Sequence, residues 1–176
     1  MAMFCFQCQE TLKNSGCTKR GICGKEESTA NMQDLLIHTL KGIGLYAREA
    51  QKNGVEVPAS IGRFVVEALF TTVTNVDFDA DHVSEVIEQA LTVRDQAKAL
   101  YKGTGLKHDT ANWRSTPDTF QSKAISVGVM TTENEDVRSL RELLIYGLKG
   151  IAAYADHAAV LGYEDYGIYT FLFEAL

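Results

Sequence analysis

The sequence predicts an all-α protein of two consecutive three-helix bundles, the second incomplete, behind a cysteine-rich N-terminal loop. Three observations predict it. Apolar residues recur at three- and four-residue intervals along most of the 176 residues, with only two prolines to interrupt them. A stretch of the first half reappears in the second half at a constant offset. All four cysteines, Cys5, Cys8, Cys17 and Cys23, fall at the N-terminus, spaced C-x2-C-x8-C-x5-C.

Residues 1–28 form the cysteine segment and residues 29–103 the first bundle. Thr29 or Asn31 is expected to cap a helix reaching Lys52, with Gly54 just beyond it. Leu35, Leu36, Leu40, Ile43 and Ala47 make its apolar face. Val57-Pro58 reads as a turn, because a residue before proline avoids the α region. Ser60 opens a second helix through Phe64, Val65, Ala68, Leu69 and Val73. Asp79 or Asp81 caps a third, in which Val83, Val86, Ile87, Ala90, Leu91, Arg94, Ala97 and Leu100 keep the helical period. Gly103 and Gly105 end it. Short turns between helices of similar length favour antiparallel packing.

Residues 104–131 are an irregular connector, holding Trp113, Pro117 and a short helix around 118–125. Thr132-x-x-Glu135 has the form of a capping box and opens the second bundle, residues 132–176. There, Arg141-Glu142-Leu143-Leu144-Ile145 to Ala155 matches Gln33-Asp34-Leu35-Leu36-Ile37 to Ala47, an offset of 108 residues, and Gly162 matches Gly54. The duplicated unit is spectrin-repeat-like, and its second copy has no third helix. The expectation is therefore a piece of a longer protein. Apolar faces around Ile145, Leu148, Phe171 and Leu172 are expected to lack cover and to favour a homodimer.

Composition narrows the function. A net charge of −6 with no basic run excludes the electrostatic footprint of a nucleic-acid binder. No window reaches the ~20 apolar residues of a membrane span. The N-terminus lacks a signal-peptide pattern, so a cytoplasmic location is expected, where clustered thiols stay reduced and more often bind metal.

Four thiolates suit zinc or an iron–sulfur cluster. Zinc sites usually pair two C-x2-C knuckles, and only Cys5 and Cys8 have that spacing. The irregular gaps favour a loop wrapped around a cluster, with zinc second and disulfides or free thiols third. Phe4, Phe6 and Ile22 are candidates to shield the sulfurs. Lys19, Arg20 and Lys25 are candidates to steer an acidic donor or to offset thiolate charge.

Other residues read more plainly. His38, His82, His108 and His157 sit in no ligand motif, so helix-face roles are expected. Met1, Met3, Met32 and Met130 read as gap-fillers. Tyr46 and Tyr154 read as equivalent packing residues, Gly42 and Gly150 as sites of close helix approach, and Lys41 and Lys149 as exposed charges.

Met3-Phe4-Cys5-Phe6-Gln7-Cys8-Gln9-Glu10-Thr11, Gly16-Cys17-Thr18 and Gly21-x-Cys23-Gly24-Lys25 closely resemble the N-terminus of the hybrid cluster protein family. Its members are also called prismane proteins or hydroxylamine reductases. The resemblance continues through Ala30 to Leu36 and Thr132 to Leu144. It implies a helical domain of two three-helix bundles, followed by two α/β domains holding a hybrid iron–sulfur–oxygen cluster. It further implies that Cys5, Cys8, Cys17 and Cys23 hold an electron-transfer cluster, a [4Fe–4S] cubane in the strict-anaerobe type that this short spacing resembles. The wider-spaced enteric type carries [2Fe–2S]. The family is thought to reduce hydroxylamine to ammonia and water, with nitric oxide reduction also proposed. No cysteine follows Cys23, so the hybrid cluster's ligands have no counterpart in these residues, and the implied role is electron relay from a donor protein. The competing reading is a non-catalytic helical interaction domain whose four cysteines bind zinc or stay metal-free.

Overall fold

The computed structural model describes residues 3–176, so the expectation for Met1 lies outside the described residues. Seven helices carry the fold: α1 (Glu27–Lys52), α2 (Ala59–Thr71), α3 (Ala80–Leu100), α4 (Asp109–Asn112), α5 (Pro117–Val127), α6 (Glu135–Val160) and α7 (Tyr166–Ala175). Among the described residues there is no strand, only an isolated antiparallel bridge between Cys5 and Cys17. Among the described residues no helix is long and apolar enough to cross a membrane.

Helix α1 is the centre of the molecule. Leu35, Leu36, Leu40, Ile43, Tyr46, Ala47 and Ala50 are fully buried. It packs along α3, against α4 and α5, and against α7, while α2 packs chiefly on α6 and α7. One hydrophobic core accordingly runs from Met32 in the first copy to Phe173 in the second. The repeat is present, and its two copies are docked through this shared core.

The repeat fixes helix ends as well as faces. In α1, Gly54 N–H donates to Gln51 O at 2.9 Å and Val55 N–H to Ala50 O at 3.0 Å. In α6, Gly162 N–H donates to Ala159 O and Tyr163 N–H to Ala158 O, both at 2.9 Å. Both are Schellman ends, closed by a glycine at φ +72° and +85°, a conformation that costs a side-chain-bearing residue more.

Helix starts follow the sequence less closely. Asp79 caps α3, its Oδ1 accepting from Asp81 and His82 N–H at 2.9 and 3.2 Å. The expected cap at Thr29 or Asn31 is wrong, since α1 begins at Glu27 and both residues are buried inside it. Thr29 instead spends its hydroxyl on Phe78 O at 3.0 Å, tying α1 to the loop before α3. The expected capping box at Thr132 is also displaced. Asn134 caps α6 through Val137 N–H at 2.9 Å, while Thr132 O accepts from Arg138.

Equivalent residues do not share an environment. Tyr46 is 0% exposed beside Tyr101, whereas Tyr154 is 82% exposed. Leu35 is 0% exposed and its counterpart Leu143 is 68% exposed. The cause is α3, which covers that face of α1 and has no equivalent over α6 among the described residues. The faces expected to be bare are mostly covered: Ile145, Leu148 and Leu172 are buried and only Phe171 is exposed. The open apolar face of α6 is instead that of Leu140, Leu143 and Tyr154.

Gly42 and Gly150 divide in the same way. A Cβ on Gly42 would stand 2.1 Å from Thr110 O, because Arg94 of α3 draws the α4 backbone down by hydrogen-bonding Thr110 O at 3.3 Å and Trp113 O. A Cβ on Gly150 would meet nothing within 4 Å. Gly42→Ala should therefore cost about 1–3 kcal/mol through forced displacement. Gly150→Ala should stabilise this chain by up to about 1 kcal/mol through helix propensity. Urea unfolding of both variants checks the opposite signs.

Candidate metal centre

The cysteine segment is an irregular loop closed on itself. Cys5 and Cys17 exchange backbone hydrogen bonds, Cys5 N–H to Cys17 O at 3.0 Å and Cys17 N–H to Cys5 O at 2.8 Å. This pairing places the two residues directly opposite one another. Between them, a short 3-10 turn at Leu12–Asn14 reverses the chain, with Lys13 and Asn14 at φ +53° and +56°. Thr11 hydrogen-bonds Cys5 O at 3.1 Å and lies 3.7 Å from Cys17 Sγ.

All four cysteines are free thiols: Cys17 is buried, Cys5 and Cys8 are half-buried, and Cys23 is exposed. The structure brings Cys5 and Cys17 together. It does not gather any three His, Cys, Asp or Glu residues into a metal-holding group among the described residues. Burial pushes the Cys17 thiol up, but the backbone amides of Leu12 and Ile22 and the Thr11 hydroxyl outweigh it and bring the thiol below its usual range. Donors aimed at a sulfur favour its thiolate, the form that binds metal. The chemistry of the donor set therefore fits a thiolate-ligated centre.

The proposed shield is partial. Phe4 and Phe6 pack on each other with ring centroids 5.6 Å apart, while Ile22 is exposed. Phe4, Phe6 and Cys8 instead border an open groove whose far side is α6, at Leu143 and Tyr146.

Beneath the loop lies a cavity of about 30 Å³, too small for an organic substrate, lined by Cys5, Gln7, Asp34, Glu142 and Lys149. Asp34 and Glu142 are repeat mates, as are Lys41 and Lys149, so the duplication places acid and base at matching positions of α1 and α6. Burial raises the Asp34 carboxyl to about 7 against the pull of Lys149. Burial likewise raises Glu142, opposed by Lys41 and Lys149. Lys149 is lowered to about 8 by burial, opposed chiefly by Asp34.

These positions correct the expectation for Lys149 and, for Lys25, the donor-steering alternative alone. Lys149 is 7% exposed, not a surface charge. Lys25 is 2% exposed, so of the three cations beside the cysteines only Lys19 and Arg20 face solvent, Arg20 in an ion pair with Glu26 at 2.8 Å. The repeat held the signal for Lys149, since its pairing with Glu142 mirrors that of Lys41 with Asp34 seven residues apart on one helix face. Sequence spacing carried no signal for the backbone cradle at Cys17.

A model of the prismane/CO dehydrogenase family matches residues 3–176. The chain belongs to that family. A protein named hydroxylamine reductase from Desulfitobacterium hafniense is 49% identical over 182 residues, covering 100% of this chain and 33% of the relative. Similar proteins of the same name occur in Halothermothrix orenii, at 51% identity with 34% of the relative covered, and in Nitratidesulfovibrio vulgaris, at 49% with 33% covered. The chain thus spans about a third of the length of these prismane-family relatives.

None of the histidines joins the thiols. His82, His108 and His157 are exposed. His38 is held between α1 and α4, its Nε2 2.9 Å from Asp109 Oδ2 but off the line a hydrogen bond needs. Burial lowers its imidazole to about 4, opposed by Asp109 and reinforced by Lys123. Between pH about 6.5 and 4 the unfolded chain gains a proton at His38 that the folded chain refuses, so stability should fall as pH is lowered through that window. His38→Gln should flatten this part of the stability curve. NMR titration should show a neutral imidazole well below its ordinary midpoint.

Proposed function

We propose that this chain is the electron-transfer part of a hydroxylamine reductase, with Cys5, Cys8, Cys17 and Cys23 as ligands of a [4Fe–4S] cluster. The observation that carries it is the set of four unpaired thiols on one loop, with Cys17 already in a thiolate-favouring cradle. Family membership and relatives named hydroxylamine reductase support it.

When bound, such a cluster accepts and releases single electrons. The chain's own residues supply the rest. The Cys5–Cys17 pairing fixes two ligands, Thr11 and the Leu12 and Ile22 amides favour the thiolate form of Cys17, and Phe4 and Phe6 pack on each other beside them. Reduction of hydroxylamine to ammonia and water belongs, in this reading, to a hybrid iron–sulfur–oxygen cluster in α/β domains of the length this chain does not span. Its partners are those domains and an electron donor protein, and its setting is the cytoplasm.

Anaerobic reconstitution should give a brown protein with about four irons per chain. Cys→Ser at any one of the four positions should lower iron content, and Cys17→Ser most. A colourless, zinc-loaded chain after strict anaerobiosis would instead support the second reading, a helical interaction domain whose four cysteines hold zinc or nothing. What favours that reading is the bare face of α6 at Leu140, Leu143 and Tyr154. In the first reading the same face takes a helix equivalent to α3, because α3 covers the matching residues of α1. Without that helix the chain should self-associate through it. Light scattering should find a dimer that Leu143→Glu converts to monomer, and a wild-type monomer at high concentration would refute the assignment.

A further inference from the structure

Two buried lysines bracket the cysteine loop, and neither has an anionic partner within ion-pair distance among the described residues. Lys149 reaches from α6 to Thr72 O, at 3.2 Å, where α2 ends. The Gln7 amide fits this contact with its oxygen toward the ammonium: Oε1 then accepts from Lys149 Nζ at 2.9 Å and Nε2 donates to Thr72 O at 3.3 Å. Gln7 lies between Cys5 and Cys8, so Lys149 holds the first pair of thiols from below. Lys25, two residues past Cys23, donates to Gln33 Oε1 at 2.7 Å, and its ammonium stands 5.6 Å from the centroid of the Phe78 ring. It holds the other end of the loop.

Burying an ammonium against neutral amides and carbonyls is unfavourable unless a counter-charge is near. Nearby carboxylates answer this poorly. Asp34 is the chief carboxylate acting on Lys149 but makes no ion pair with it among the described residues, and Glu142 is shared between Lys41 and Lys149. What both lysines have in common is the loop that carries four thiols within 19 residues, Cys5 to Cys23.

We infer that Lys25 and Lys149 are the built-in counter-charge of an anionic thiolate-ligated centre, fixing the loop and favouring its more reduced state. The inference rests on the proposed cluster. On one-electron reduction by a low-potential donor the centre becomes one unit more negative, and fixed cations close by stabilise the product more than the reactant. They are positioning residues, and without the centre their burial is a burden.

That last point separates the inference from a plain structural role. In the metal-free chain, Lys149→Met should cost less stability to urea than in the reconstituted protein, because losing the Thr72 and Gln7 contacts is offset by removing a buried cation that has no counter-charge there. In the reconstituted protein the same substitution should shift the midpoint of an EPR-monitored dithionite titration to lower potential. It should also weaken iron retention against a chelator by about 10-fold. Lys25→Met should shift the midpoint the same way, and Lys149→Arg should restore the wild-type value. An unchanged midpoint in fully loaded Lys149→Met and Lys25→Met overturns the inference. So does loss of stability in metal-free Lys149→Met equal to that in the loaded protein. A wild-type chain that takes up no iron under these conditions overturns the proposed function itself, a different and visible result.

Discussion

A helix buried around most of its circumference has to be covered on every side, and α1 imposes that requirement on the whole molecule. Its apolar residues leave no solvent-facing stripe wide enough to stand alone, so α3, α4, α5 and α7 are each drawn onto it. The cover is tight enough that the α4 backbone rests on Gly42, held there by a buried arginine from α3. Because α7 belongs to the second copy of the repeat, covering α1 also docks the two copies. The cysteine loop then sits over α1 and α6, and the polar groups beneath it come from both helices.

Duplication explains much of what is found there. A gene-level repeat copies side chains, but it cannot copy surroundings. Lys41 and Lys149 began as equivalents, and so did Asp34 and Glu142. In the folded chain Lys149 is buried under the loop while Lys41 stays half-exposed. Tyr46 is packed against Tyr101 while Tyr154 stands in solvent. Of the two repeated lysines only Lys149 hydrogen-bonds beneath the loop, while Asp34 and Glu142 both line the cavity there.

The same distinction governs what could be read from sequence. The long helices, the repeat, the glycine-closed ends of α1 and α6 and the Asp79 cap depend on local chemistry and were legible, whereas α3 stops at Leu100 with Tyr101 as its cap, short of the expected Gly103. The starts of α1 and α6 were not legible: Thr29 spends its hydroxyl on Phe78 O, a partner set by tertiary packing, and Asn134, two residues past Thr132, takes the cap of α6. The cysteine cluster was legible as a candidate metal site. The donors to Cys17 were not, since the Leu12 and Ile22 amides and the Thr11 hydroxyl are brought to its sulfur only by the path of the folded loop. Burial of Lys25 and Lys149 was missed because charged residues are exposed far more often than buried. For Lys149 alone, the coincidence of an acid and a base at matching repeat positions pointed otherwise.

The cysteine loop has little regular structure of its own, so it depends on outside anchors: Lys149 through Gln7, Lys25 through Gln33, and the Cys5–Cys17 pairing within it. A loop held this way, rich in thiols and underlain by cations, fits the electron-transfer role proposed for it. Mössbauer spectroscopy of chain reconstituted with enriched iron tests that role most directly. All bound iron should occupy tetrahedral sulfur sites with delocalised valence, the signature of one cubane held by Cys5, Cys8, Cys17 and Cys23. Iron in oxygen- or nitrogen-rich sites, or isolated mononuclear iron, would contradict it.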